Sequence, residues 1–185
     1  MRVEFVCGLR AVSTARRDYA TLTEAAALYS GHIYDVPEQV RKSLAETKSA
    51  GKAQHKLLEE LAELSADRLL AQAAGMPRVI TQVFAERDAL FIKLLAQKLT
   101  AEKTDVIALL AAGAGQPTLV FAQSPGQKFN MGQLMKDAMA QLGGRGGGTA
   151  DMAQGGLPAG AGIAEAVERI LHLVAASVQG GQPHS

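Results

Sequence analysis

The chain is poor in the residues that announce a function by themselves. There is no tryptophan, and three Tyr and five Phe bring aromatics to only 4% of 185 residues. Little is left to stack nucleobases or to fill an all-β core. A lone cysteine, Cys7, excludes a disulfide within the chain and makes a reducing compartment the expectation. His32, His55, His172 and His184 are scattered without ligand spacing, so no metal site is expected. With a net charge of +1, no bulk field draws in a polyanion, and any nucleic-acid binding must come from local basic clusters. Long apolar runs are missing too. The longest, VIALLAAGAG, is about half of the roughly 20 residues a membrane span needs. The first residues, MRVEFVCGLR, set Arg2 and Glu4 where a signal peptide would be apolar. A cytoplasmic location and no membrane partner are therefore expected.

What is present is ordinary globular stock, 48% hydrophobic and 20% charged, rich in Ala and Leu. Three regions and a short tail follow one another. In the first, 1–34, alternating Val3, Phe5 and Cys7 predict a short strand over 2–7, and an Ala-rich run predicts a helix from Leu9 to about Tyr29. In the second, 35–75, one long helix is expected from Pro37 to about Ala74, with Asp35 as its cap. Its middle, AETKSAGKAQHK, has almost nothing to bury, which suits a stalk. Arg41, Lys42, Lys48, Lys52 and Lys56 precede Glu59, Glu60, Glu63 and Asp67. Two such helices in antiparallel would match basic half to acidic half; a merely solvated face is the other reading. The third region, 76–179, alternates strands (77–85, 105–113, 118–123) with helices (88–100, 132–142, 162–178). That order predicts α/β architecture. A frayed tail, 180–185, is expected to close the chain.

Between the last two helices, residues 142–162 read LGGRGGGTADMAQGGLPAGAG, with nine glycines. One reading is a flexible linker. The other is a functional loop, since glycine lets backbone N–H groups approach an anion closely and Arg145 would add a bidentate donor. It is neither a Walker loop nor a dinucleotide fingerprint, because no lysine follows Gly148 and no Gly-x-Gly-x-x-Gly opens a helix after a strand. Nucleotide hydrolysis and NAD binding are disfavoured.

GGRGGGTADMAQGG, preceded by TLVFAQ and MGQLMKDAMAQL, resembles the C-terminal domain of alanyl-tRNA synthetase, which also closes the longer free-standing alanyl-tRNA editing proteins. That module is a relative of the DHH-associated domain of DHH phosphoesterases. RVEFVCGLRA is similar to the junction where the editing domain of those proteins ends. The resemblance is tight at 143–156, looser elsewhere, and covers nearly the whole chain. It implies a tRNA-binding, dimerising appendage, a helical stalk followed by a small α/β domain with a glycine-rich loop, acting on alanine-accepting tRNA as a homodimer. Carried over residue by residue, Gly143, Gly144, Arg145, Gly146, Gly147 and Gly148 fall on the glycine motif, and Asp151, Met152, Gln154, Gly155 and Gly156 on its second half. Arg145 and the backbone of 143–148 are the expected phosphate contacts, with Asp151 and Gln154 holding the loop; a plain turn role for Asp151 stays open. Lys128 and Lys136 extend the expected patch, or are simply solvated.

The departures are equally informative. The family's editing chemistry uses zinc held by a His-x-x-x-His and a Cys-x-x-x-His pair, and neither is in this sequence, nor are the aminoacylation motifs. No cofactor is therefore expected in this chain, with zinc belonging to a missing editing domain, and no catalytic residue is assigned. The chain reads as a piece lying downstream of both chemistries. A purely structural dimerisation module and the substrate-binding domain of a DHH-type phosphoesterase are the alternatives, although Asp-His-His is absent. His172, in ILHLV, is expected as a partly buried packing residue; Arg10, Arg16 and Arg17 are read as a solvated face, with a place for a tRNA acceptor arm to pass as the other reading.

Overall fold

A computed structural model describes residues 5, 7–101, 105–158 and 163–179. The strand expected at 2–7 and the tail 180–185 lie largely or wholly outside these. Two compact units divide the chain, Met1–Gln54 and His55–Ser185.

In the first unit, α1 (Gly8–Leu28) begins after Cys7, which stands exposed at the N-cap without a side-chain capping bond. Ala26 is its one buried residue, and Arg10, Arg16 and Arg17 are exposed. α2 (Val36–Gln72) runs through Gly51 as one helix. Asp35 sits at its start, but the carboxylate does not reach forward to cap it. The Asp35 carbonyl accepts from Glu38 and Gln39 N–H, while its Oδ2 accepts from His32 N–H at 3.2 Å. Residues 44–57 of α2 are exposed throughout, as expected of a stretch with nothing to bury.

The second unit is α/β, as expected. From Leu58 onward α2 changes character: Ala62 and Ala66 are fully enclosed, and Leu58, Leu61, Leu69 and Leu70 pack against the core. Here the helix covers a sheet. The strands are β1 (Arg78–Phe84), β2 (Val106–Ala112), β3 (Thr118–Gln123), β4 (Arg145–Gly148) and β5 (Met152–Gly156), in the order β1-β2-β3-β5-β4. Only β1–β2 is parallel, joined by α3 (Ala89–Ala101); the other pairs are antiparallel. Alternate residues of β2 serve opposite faces. Ile107, Leu109 and Ala111 point to α4 (Met131–Leu142) and α5 (Ile163–Gln179), while Val106, Ala108, Leu110 and Ala112 point to α3 and the end of α2. With both faces covered, β2 and β3 are buried at every position, which is why β2 and the centre of β3, residues 119–122, read as apolar runs.

The glycine-rich loop expected over 142–162 is, from 145 to 156, a β-hairpin. Its pairing Gly147↔Gln154 and Gly146↔Gly155 continues the sheet beyond β3. Glycine's low strand propensity hides such strands from pattern reading.

Candidate nucleic-acid interface

The hairpin is tightly packed, its two strands against each other and its inner face against α4. A Cβ on Gly144 would stand 2.7 Å from the Gly156 carbonyl oxygen, and one on Gly146 would stand 2.6 Å from Gly155 Cα. On Gly148 it would collide with the Met152 carbonyl and Ala153 Cα, all backbone that cannot swing aside. Gly144, Gly146 and Gly155 look onto the thioethers and stems of Met135 and Met139 of α4. The i, i+2, i+4 spacing of 144, 146 and 148 is therefore a flat strand face laid on a helix. Gly143 ends α4 in the left-handed conformation, φ 67°, and the Gly144 N–H returns to the Met139 carbonyl.

The tip of the hairpin is tied to the start of α4. Met131 and Gly132 N–H donate to the Ala150 and Thr149 carbonyls at 2.9 Å, and Asn130 Oδ1 caps the Gln133 N–H at 3.0 Å. The orphan donors of this helix end are thus taken up within the chain. Gly132 is required by the approach, since a Cβ there would stand 2.8 Å from the Gly148 carbonyl oxygen. Behind the tip, buried Gln123 donates Nε2 to the Phe129 carbonyl (2.8 Å), the Ala150 carbonyl (3.0 Å) and Asp151 Oδ1 (3.3 Å). Its own N–H reaches the Asp151 carbonyl. Both the side-chain Oδ1 and the carbonyl of Asp151 thus accept from Gln123. Gln123 Oε1 is buried without a partner among the described residues.

The side of the hairpin away from α4 is different. Arg145 and Gly147 of β4 and Gln154 and Gly156 of β5 alternate onto it, and Arg145 and Gln154 are exposed. A Cβ on Gly147 would meet nothing within 4 Å, and one on Gly156 would meet only the end of the Gln116 side chain, at 3.2 Å. Met152 is half-buried against the cluster under α3. Lys128, in the loop entering α4, and Lys136, on its outer side, are both exposed. Among the described residues no ion pair ties Arg145, Lys128 or Lys136 to an acid.

β4 is also the edge of the sheet. Thr149 N–H donates to the Met152 carbonyl, so 149, 147 and 145 face β5, and the N–H groups of Gly146 and Gly148 point outward along the free edge. Sequence reasoning picked out the motif itself and missed four residues that shape it: Gln116, Gln123, Asn130 and Gly132. Asn before an apolar helical run was a readable cap signal; Gln116, Gln123 and Gly132 carry none.

Among the described residues no three His, Cys, Asp or Glu side chains gather into a group that could hold a metal ion. No helix among them is long and apolar enough to cross a membrane. His172, expected to pack, is exposed on α5 beside Glu168 and the end of β1. Leu171 takes the buried position next to it.

A glycine hairpin closing a mixed sheet, tied by its tip to a methionine-bearing helix, defines a compact class of α/β domain. Residues 76–180 match the DHHA1 domain, and the chain belongs to that family. It is 33% identical to an alanine–tRNA ligase of Methanosarcina barkeri over 94% of this chain and 19% of that protein. To an alanine–tRNA ligase of Xanthomonas campestris it is 30% identical, over 91% of this chain and 20% of the relative. The chain thus spans about a fifth of the length of the curated relatives it matches. It is also similar to the C-Ala domain from Aquifex aeolicus alanyl-tRNA synthetase, with 25% identity and a TM-score of 0.46, over 56% of this chain and 97% of that one.

Proposed function

We propose that this chain is a tRNA-binding and dimerising module of an alanyl-tRNA synthetase or alanyl-tRNA editing protein, with alanine-accepting tRNA as its ligand. The observation that carries the reading is the free edge of β4, where the Gly146 and Gly148 N–H groups point outward beside exposed Arg145. Outward backbone donors at positions without side chains, next to a guanidinium, suit phosphate oxygens. The rigid seat of the hairpin on α4 means that little ordering is needed on binding. The name of the relatives supplies the kind of RNA. Contacts of this type read backbone and shape, which fits a chain with so few aromatic residues. The charging and editing chemistry, and the zinc of the editing reaction, fall to parts of a longer protein outside this sequence.

The test is binding of the chain to an alanine tRNA transcript and to an unrelated hairpin RNA, at low and moderate salt, for wild type and Arg145→Ala. The expected result is preference for the tRNA, a log-affinity slope against log salt of about −2 to −3, and loss of binding in the variant. Equal, feeble binding in every arm overturns the RNA reading.

A purely structural dimerisation module is the second reading, favoured by the exposed, charge-segregated stretch of α2. Part of the acidic half is already matched within the chain: His55–Glu59 at 3.3 Å, Lys56–Glu60 at 3.9 Å and Lys98–Glu63 at 3.1 Å. That leaves fewer carboxylates for a partner's basic half.

A further inference from the structure

The sheet has a second edge, β1, on the opposite side from the glycine hairpin. Arg78 N–H donates to the Asp105 carbonyl, and the Phe84 carbonyl accepts from Gly113, so even-numbered residues of β1 bond to β2. The N–H and carbonyl groups of Val79, Thr81 and Val83 therefore point away from the sheet, and no strand among the described residues pairs with them. Edge strands are ordinarily guarded by a lysine, a proline or a bulge, and residues 79–83, VITQV, carry none of these. One outward group is covered: Gln82 Nε2 donates to the Val83 carbonyl at 3.2 Å, the side chain folding over its own strand.

A groove runs along each face of this edge, and the two differ in charge. On one face Gln82 and Phe84 meet Ser65, Arg68 and Gln72 of α2 around a space of about 240 Å³. On the other, Thr81 and Val83 meet Glu168, Leu171 and His172 of α5 around about 310 Å³. Arg68 and Glu168 are exposed, and among the described residues neither is in an ion pair. A strand added to β1 sends successive side chains alternately into the two grooves. Backbone pairing then supplies affinity and the grooves supply selectivity, with acid suited to Arg68 and base to Glu168. A second copy of β1 does not meet that demand. Carried through the same alternation, it brings Arg78, Ile80, Gln82 and Phe84 to the arginine side and Val79, Thr81 and Val83 to the glutamate side, with no opposite charge for either.

We infer that the open edge of β1 docks an extended segment of another protein, in which an acidic side chain stands toward Arg68 on one face and a basic side chain, next to it in sequence, stands toward Glu168 on the other. The segment adds a strand to the sheet and displaces the Gln82 side chain from the Val83 carbonyl. This surface is separate from the proposed RNA site, which lies on the opposite edge, so the failure of either leaves the other standing.

The probe is the peptide Thr-Val-Glu-Lys-Glu-Val-Thr, fluorescently labelled and titrated with the full chain by anisotropy. Its central Lys falls on the Glu168 face and both Glu on the Arg68 face, in whichever direction the peptide lies. The expected result is saturable binding, about fivefold or more tighter than for the swapped peptide Thr-Val-Lys-Glu-Lys-Val-Thr. In the double variant Arg68→Glu, Glu168→Lys the preference should reverse, a change that misfolding does not produce. On binding, the Thr81 and Val83 amides should gain protection from hydrogen exchange, since their N–H groups face the added strand. No binding of either peptide, or equal binding of the two, overturns the proposal, and binding without that protection overturns its place at the edge. Tighter binding of the chain's own Arg-Val-Ile-Thr-Gln-Val-Phe than of the charged probe overturns it as well, and gives the edge to a second copy.

Discussion

Two parts of one sheet reach the same end by opposite means. β2 and β3 fill the space between two helical layers with Ile107, Leu109, Leu119 and Phe121, all fully buried, while β4 and β5 come close to α4 by having almost nothing to fill it with. In the centre, volume specifies the packing; at the glycine edge, its absence does. Both are well determined, but they fail differently. A central strand is harmed by removing atoms and the hairpin by adding them. The contrast also divides the glycines. Those on the α4 side are demanded by contact, whereas Gly147 on the open side has nothing near it and is unexplained by packing.

Substitutions sharpen or break that contrast. Leu109→Ala, at a fully buried site in the middle of β2, should cost about 2–5 kcal/mol in chemical denaturation through lost transfer energy plus a cavity. Gly148→Ala adds one methyl against the Met152 carbonyl and the Cα and Cβ of Ala153 on the facing strand, and should destabilise by about 1–3 kcal/mol. A neutral result there would mean that β4 and β5 do not approach one another this closely. Asn130→Ala removes the α4 cap and should lower stability by about 1 kcal/mol, seen as a shift of the denaturation midpoint with unchanged slope. Gly147→Ala should change stability by less than about 0.5 kcal/mol, since it projects into open space at an ordinary backbone angle. A large loss in that variant would erase the distinction between the two sides. If instead Gly147→Ala folds normally but weakens RNA binding, the open side is where the ligand lies.

Much of the sheet's centre was legible because its signals are local. DVIALLAAG and TLVFAQ are apolar runs of strand length with a turn between them, and DALFIKLLAQKLT has the spacing of a half-buried helix. The hairpin was not legible, because nothing in RGGG alternates and a strand of glycine has no side-chain pattern to read. His172 was misjudged for a related reason. Its neighbours Ile170, Leu171 and Val174 mark an apolar helix, but the direction of one side chain depends on where that helix docks. The second half of α2 is a further case: Leu58, Leu61, Leu69 and Leu70 carry helical spacing, yet only the sheet beneath them gives them something to pack against.

By itself the sequence determined the α/β class, most of the elements and the fourteen-residue signature of the family, since each is written in propensity, periodicity or a fixed string of residues. Tertiary structure alone decided that the glycines form strands, that the tip of the hairpin caps α4, and which backbone donors are left free at the edge of the sheet. Those outcomes depend on how closely two distant segments approach, and a residue without a side chain records that distance only once both are in place.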